Sequence, residues 1–171
     1  MVAERQGQAA ADAVLTRIGQ VVILHHAGDR EEARRRLLEL WAEIGEHGAP
    51  LYRCTLAHYL ADTQDDPADE LAWDLRALTA AEEIGESGPA AREGALAVRA
   101  FYPSLHLSLA ADYAGLGEGD AARTHLSRAR KAAAGLADDR YGQGVRAAIR
   151  RLESRLGEDG DGTWRPPRQR P

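Results

Sequence analysis

The stretch SLAADYAGLGEGDAARTHLSRAR, Ser108 to Arg130, decides the fold. In its first half Leu109, Ala110 and Tyr113 fall on one face of a helix. In its second half Ala122, Leu126 and Ala129 do the same, at spacings of four and three. Between them lies Gly115-Leu116-Gly117-Glu118-Gly119, whose glycines break both helices and read as a tight turn. The stretch is therefore two helices folded back on each other.

The same shape recurs. The turn and second helix appear as GDREEARRRLLEL from Gly28 and as DDPADELAWDLRAL from Asp65. Superposed on GEGDAARTHLSRAR, these place Ala33, Leu71 and Ala122 together, then Leu37, Leu75 and Leu126, then Leu40, Leu78 and Ala129. The first helix recurs as TLAHYLADTQ from Thr55, which brings Tyr59 onto Tyr113 and Thr55 onto Leu109. On these residues the chain resembles the tetratricopeptide repeat family, whose unit is two antiparallel helices of about 34 residues. Leu109, Ala110 and Tyr113 stand at that family's large, small and tyrosine positions, and Ala122, Leu126 and Ala129 at its small, large and small ones. The chain departs from the family in spacing: Ala33 to Leu71 is 38 residues and Leu71 to Ala122 is 51. The resemblance covers roughly residues 9–136.

Working outward, seven helical segments are expected. The first runs from about Ala9 to His26, with Val14, Ile18, Val21, Val22 and Leu24 inward. The second, to Ile44, buries Ala33, Leu37, Leu40, Trp41 and Ile44. A third follows from Leu51 to Ala61 with Leu56, Tyr59 and Leu60 inward, and a fourth starts at Pro67 with Leu71, Leu75 and Leu78 as its stripe. Pro103 predicts a kink or a fresh start in the fifth. The sixth covers about Asp120 to Ala134. The seventh, to Leu156, carries Val145, Ile149, Leu152 and Leu156 on one side and suits the open end of the stack. Residues 9–156 thus form one all-α domain of stacked antiparallel hairpins with a C-terminal capping helix. Residues 1–8 are expected to be disordered, and so is the proline- and arginine-rich tail from Gly157 to Pro171.

Composition supports helices and narrows function. Ala, Leu, Glu and Arg dominate, and aromatic residues are only 5% of the 171, which disfavours a sheet. Asparagine is absent and Lys131 is the single lysine, the residue usage of a GC-rich, bacterial type of genome. The net charge of -5 and the interleaving of Arg34, Arg35 and Arg36 with Glu31, Glu32 and Glu39 argue against nucleic acid as a partner. No apolar run reaches the roughly 20 residues a bilayer span needs, so no membrane partner is expected. One cysteine, Cys54, forms no internal disulfide, and the N-terminus does not read as a signal peptide. Both fit a cytoplasmic protein.

The candidate chemistry is thin. His25 and His26 sit at a helix C-terminus, where histidine suits the helix dipole. Cys54 and His58 share a helix face, but two ligands do not make a metal site. The acidic loop from Asp62 to Glu70 lacks the glycine and glutamate of a calcium loop, so Asp65 and Asp66 read as caps of the fourth helix. No serine has a nucleophile-elbow context and no phosphate loop is present. No cofactor, metal or catalytic residue is expected. The resemblance implies a groove, lined by the first helix of each pair, that binds a protein or peptide. With no asparagine and one lysine the chain cannot build the asparagine–lysine carboxylate clamp known in that family. Arg53 and Arg99 are then the candidate cations, with Tyr52, Phe101 and Tyr102 as apolar contacts. Trp164, ahead of Arg165, Pro166 and Pro167, reads as a short linear motif or as a segment that folds back into a groove, its own or that of a second copy. The expected function is a helical-repeat adaptor or regulatory subunit. The alternative is a helical-bundle enzyme or small-ligand sensor using histidines such as His58 and His106.

Overall fold

The computed structural model describes residues 2–45, 47–85 and 91–161, with side chains placed for 13–45, 47–84 and 100–157. Among them are seven helices and no strand: α1 (Val2–His26), α2 (Arg30–Ile44), α3 (Pro50–Ala61), α4 (Pro67–Gly85), α5 (Ala91–Gly115), α6 (Gly119–Ala133) and α7 (Arg140–Asp161).

The turns of the first and third pairs have the same conformation. Gly28 and Gly117 both take positive φ, 97° and 79°, which a Cβ would strain. In each turn the glycine N–H donates to the carbonyl three residues back, His25 or Ala114. The next residue's N–H donates to the carbonyl five back, Leu24 or Tyr113. This is the Schellman arrangement that ends a helix by satisfying its orphan carbonyls. Asp29 and Glu118 then enter the second helix at nearly equal angles, φ −90°, ψ 66° and φ −85°, ψ 64°. The middle turn has no glycine. There the Thr63 hydroxyl and the Gln64 amide donate to the Leu60 carbonyl instead, and Asp66 Oδ1 accepts the Ala68 N–H at 2.8 Å to cap α4.

The core divides into three clusters, and each joins a helix pair to the first helix of the next. Ile18 and Val21 of α1 meet Ala33, Leu37 and Leu40 of α2 and Leu56 and Leu60 of α3. Cys54 and Ala57 of α3 meet Ala77, Ala80, Ala81 and Ile84 of α4 and Leu105 of α5. Ala110 of α5 meets Ala122, Leu126, Ala129 and Ala133 of α6 and Val145, Ile149, Leu152 and Leu156 of α7. Contacts follow the same rule: α1 touches α3, α3 touches α5 and α5 touches α7, and among the described residues no contact closes the ends of the stack on each other. The seventh helix covers the third pair with the four residues its periodicity predicts.

Several expectations are corrected. In α4 the expected stripe holds only in part: Leu78 is buried as expected, but the buried face is centred one residue away from Leu71 and Leu75. The N–H groups of Ala33, Glu70 and Ala122 each bond the carbonyl of the residue before their helix, Asp29, Asp66 and Glu118, so these three are equivalent. Glu70 therefore stands at the small position, and Asp74 takes the place of Leu37 and Leu126. Burial follows: Asp74 is 1% exposed and Ala77 and Ala81 are closed off, whereas Leu75 is 38% exposed. The cause is Pro67, which fixes where α4 begins. Pro103 starts no new helix, because α5 runs through it, and its ring is fully buried. Helical backbone begins at Val2 and continues to Asp161, beyond the expected limits of Ala9 and Leu156 at both ends. Val2–Gln8 is rich in helix formers and adds turns to a nucleus already made, while Gly157–Asp161 extends a helix anchored by Leu152 and Leu156. Asp65 is not a cap. It pairs with Arg30 and Arg34 of α2, at 3.0 and 3.1 Å.

The crossing at Ala122, fully closed off between α5 and α7, yields a direct test. Ala122→Leu should lower stability by about 1–3 kcal/mol, the usual cost of overpacking, and Ala122→Ser should cost less. An unchanged thermal midpoint for Ala122→Leu would contradict the packing described.

Candidate functional site

Two polar assemblies lie on the third first-helix, α5, and both depend on which residues the turns bring into register. The first is buried among α3, α4 and α5. His58, one turn after Cys54 on α3, places Nδ1 3.1 Å from Oδ1 of Asp74. The Phe101 ring meets the imidazole edge-on, with centroids 5.0 Å apart. Asp112 reaches the same place from α5, hydrogen-bonded to Asp74 and Glu70, and Asp62 adds its charge from the end of α3.

Such a crowd of carboxyls cannot all ionise out of water. Burial, then the charges of Asp74 and Glu70, push Asp112 up to about 8, so at neutral pH it is a neutral acid and a donor. Its Oδ2 is buried and faces no N–H or O–H donor among the described residues. Burial also raises Asp74, against the pull of the His58 hydrogen bond. Burial pushes His58 down, but the hydrogen bond and charge of Asp74 outweigh it and the ring titrates above its ordinary value. Burial, then Asp74 and Asp62, raise Glu70 as well. The cluster thus holds protons tightly. Cys54 beside it is pushed up to about 12 by burial and then by Asp74, so it offers no thiolate to serve as a nucleophile.

The second assembly lies between α5 and α6. His106 and His125 face each other with Nδ1 atoms 3.1 Å apart. One ring must donate and the other accept, so the two carry different tautomers. Tyr102 stacks on His106 and Tyr113 on His125, with centroids 5.8 and 5.4 Å apart. Burial, then His125 and Arg128, push His106 down to about 4, and burial and Arg128 lower His125 too. Both imidazoles are neutral at pH 7.

The His106 end of this stack opens onto a trough of about 870 Å³. Tyr102 and His106 form one wall, Arg128 and Lys131 of α6 a second, and Tyr141 at the start of α7 the third. The Tyr141 hydroxyl donates to the Ala100 carbonyl at 3.0 Å and contacts Ser104 Oγ, which holds the third wall in place.

Of the residues singled out from sequence, Tyr102 lines this trough. Arg53 lies elsewhere, facing a smaller cleft of about 370 Å³ with Trp41 and Arg76. Its Nε donates to the Gly48 carbonyl at 2.8 Å and its charge is answered by Glu83. Tyr52 is half-buried at the start of α3. Phe101 packs against the second core cluster. The side chain of Arg99, the tail beyond Asp161 and Trp164 lie outside the described residues. Asp74 and Asp112 were missed. Aligning the second helices on their starts rather than on their leucines puts Asp74 at a core position, which is the signal that finds it. Comparison of the chain with family models, with curated proteins and with solved structures gives no match. Among the described residues no set of three or more His, Cys, Asp or Glu is placed to hold a metal, and no helix is long and apolar enough to cross a membrane.

The acid cluster dictates a pH response. Raised carboxyl values mean that the folded chain binds protons more tightly than the unfolded one. Its stability from Asp112 is present below the usual carboxylate value of about 4 and is lost as pH rises to about 8. Asp74, Glu70 and His58, all raised, act with the same sign. Asp112→Asn keeps a donor and removes the charge. Its thermal midpoint should vary less than wild type between about pH 5 and 9 and exceed wild type at the alkaline end. Parallel curves would contradict the assignment of a buried, protonated Asp112.

Proposed function

We propose that this protein is a binding scaffold, an adaptor or regulatory subunit of the tetratricopeptide type that holds a segment of a partner protein. The observation that carries this reading is the open stack. Each helix pair is completed by its neighbour, the ends do not close on each other among the described residues, and an 870 Å³ trough remains between the third pair and α7. Stacks of this kind present extended surfaces made by several helices, and such surfaces suit extended partners. The trough carries Tyr102 and Tyr141, ring side chains that contribute contact area at low entropic cost. The one thiol is buried and held protonated, so the reading needs no covalent chemistry.

A second reading, a small-ligand sensor or enzyme with an inter-helix site, is favoured by one observation. His106 is a neutral imidazole on the wall of the trough, where it could accept a proton. Its Nδ1 is engaged by His125, and among the described residues no carboxylate orients it. The scaffold reading is preferred.

Site-specific photo-cross-linking tests it. A photoreactive residue at Ala137, exposed on the trough rim, should capture a defined segment of one partner in cells that produce the protein, and a control at exposed Arg151 of α7 should not. Equal capture at both positions, or none at Ala137, would count against a binding role for the trough.

A further inference from the structure

We infer that the trough between α5, α6 and the start of α7 takes an acidic peptide, with carboxylates on Arg128 and Lys131 and an apolar side chain against Tyr102. This deepens the scaffold reading and rests on it. Arg128 and Lys131 are three residues apart on α6 and so stand on neighbouring positions of one helix face. Both are exposed, and neither has an ion pair or hydrogen bond among the described residues. Arg140, Arg150, Arg151 and Arg155 also lack a carboxylate partner among the described residues, but of the unanswered cations only Arg128 and Lys131 line the trough. Arg17, Arg30, Arg34, Arg35, Arg36, Arg53, Arg123, Arg130 and Arg146 are each answered by a carboxylate of the chain itself. In a protein of net charge -5, two unanswered cations beside an aromatic wall form a local site for an anion.

Among the described residues that line the trough, the one carboxylate is Asp139. Its Oδ1 accepts the Gly142 N–H at 2.8 Å, so it caps the first turn of α7 and is committed there. The two histidines behind Tyr102 are neutral and add no charge. Exposed charge pairs contribute only about 0–1 kcal/mol each, so two cations alone would hold a free small anion weakly. An extended peptide adds apolar contact along the trough and gains from both terms. A nucleic acid would need a longer row of cations than this surface supplies. Arg128 can grip a carboxylate through two N–H donors and Lys131 supplies a point charge beside it, which favours adjacent or closely spaced acidic residues.

Selection of a displayed random dodecapeptide library on the full chain tests this, followed by fluorescence anisotropy of the recovered peptides. The recovered sequences should be rich in Asp and Glu and carry at least one Leu, Phe or Trp. Added salt should weaken their binding, and the double charge reversal Arg128→Glu, Lys131→Glu should weaken it by about tenfold or more. Both positions are exposed, so the melting temperature should hold. Should the reversal disturb folding, Arg128→Gln with Lys131→Gln serves in its place. Tight peptides that are neutral or basic, or that bind the charge-reversed chain equally well, would overturn the acidic-peptide assignment and leave the scaffold reading standing. Recovery of no binding peptide would overturn both.

Discussion

Everything in this fold depends on one shortage: a helix pair cannot cover its own apolar stripe. Leu37 and Leu40 of α2 are closed off only once Leu56 and Leu60 of α3 arrive, and Leu126 and Ala129 of α6 only once Val145 and Ile149 of α7 do. Stability is therefore shared between neighbours, as in a one-dimensional array, rather than pooled in one centre. The end of such an array needs a helix with an apolar face and a polar back. Helix α7 meets both demands, with Arg150 and Arg151 exposed opposite Ile149 and Leu152.

The middle pair departs from this economy. It lacks the glycine turn shared by its neighbours, and its second helix places a half-buried Glu70 and a buried Asp74 where the others offer Ala33 with Leu37 and Ala122 with Leu126. Carboxylates in a core are tolerated only when they are paired or protonated. Both remedies are used, since His58 pairs with Asp74 and Asp112 keeps its proton. Alanines at Ala57, Ala77, Ala80 and Ala81 fill the rest of the contact between α3 and α4, so no leucine stripe is required there. The junction of the second and third pairs is thus the part of the molecule where protons and packing are most tightly linked.

How much of this was legible in the sequence follows from the same contrast. The hairpins built on Gly28 and Gly117 announce themselves, because a glycine turn and a small-large-small stripe are local signals with a fixed spacing. The face of α7 was legible for the same reason. The stripe of α4 was legible only in part: Leu78 is buried as expected, but Leu71 and Leu75 show the helical period just as well as Asp74, Ala77 and Ala81, which the core takes. Only the start at Pro67 decides between them. The acid cluster was illegible for a different reason: Asp112, Asp74 and His58 are far apart in sequence, and nothing local marks them as partners. Tyr102 was singled out as an apolar contact, but Arg128 and Lys131 were passed over because they lie on a second helix. Expectation had placed the ligand on the first helices.

Native-state hydrogen exchange of Leu152→Ala tests the central claim, that burial is completed by the next helix and no farther. Leu152 is buried against the third pair, and truncating such a leucine typically costs about 2–5 kcal/mol. The account predicts that protection falls in α5, α6 and α7 while α1 and α2 keep theirs, because loss at one end of an array need not reach the other. A uniform loss of protection across all seven helices would contradict it, and would show that the chain folds around one shared core.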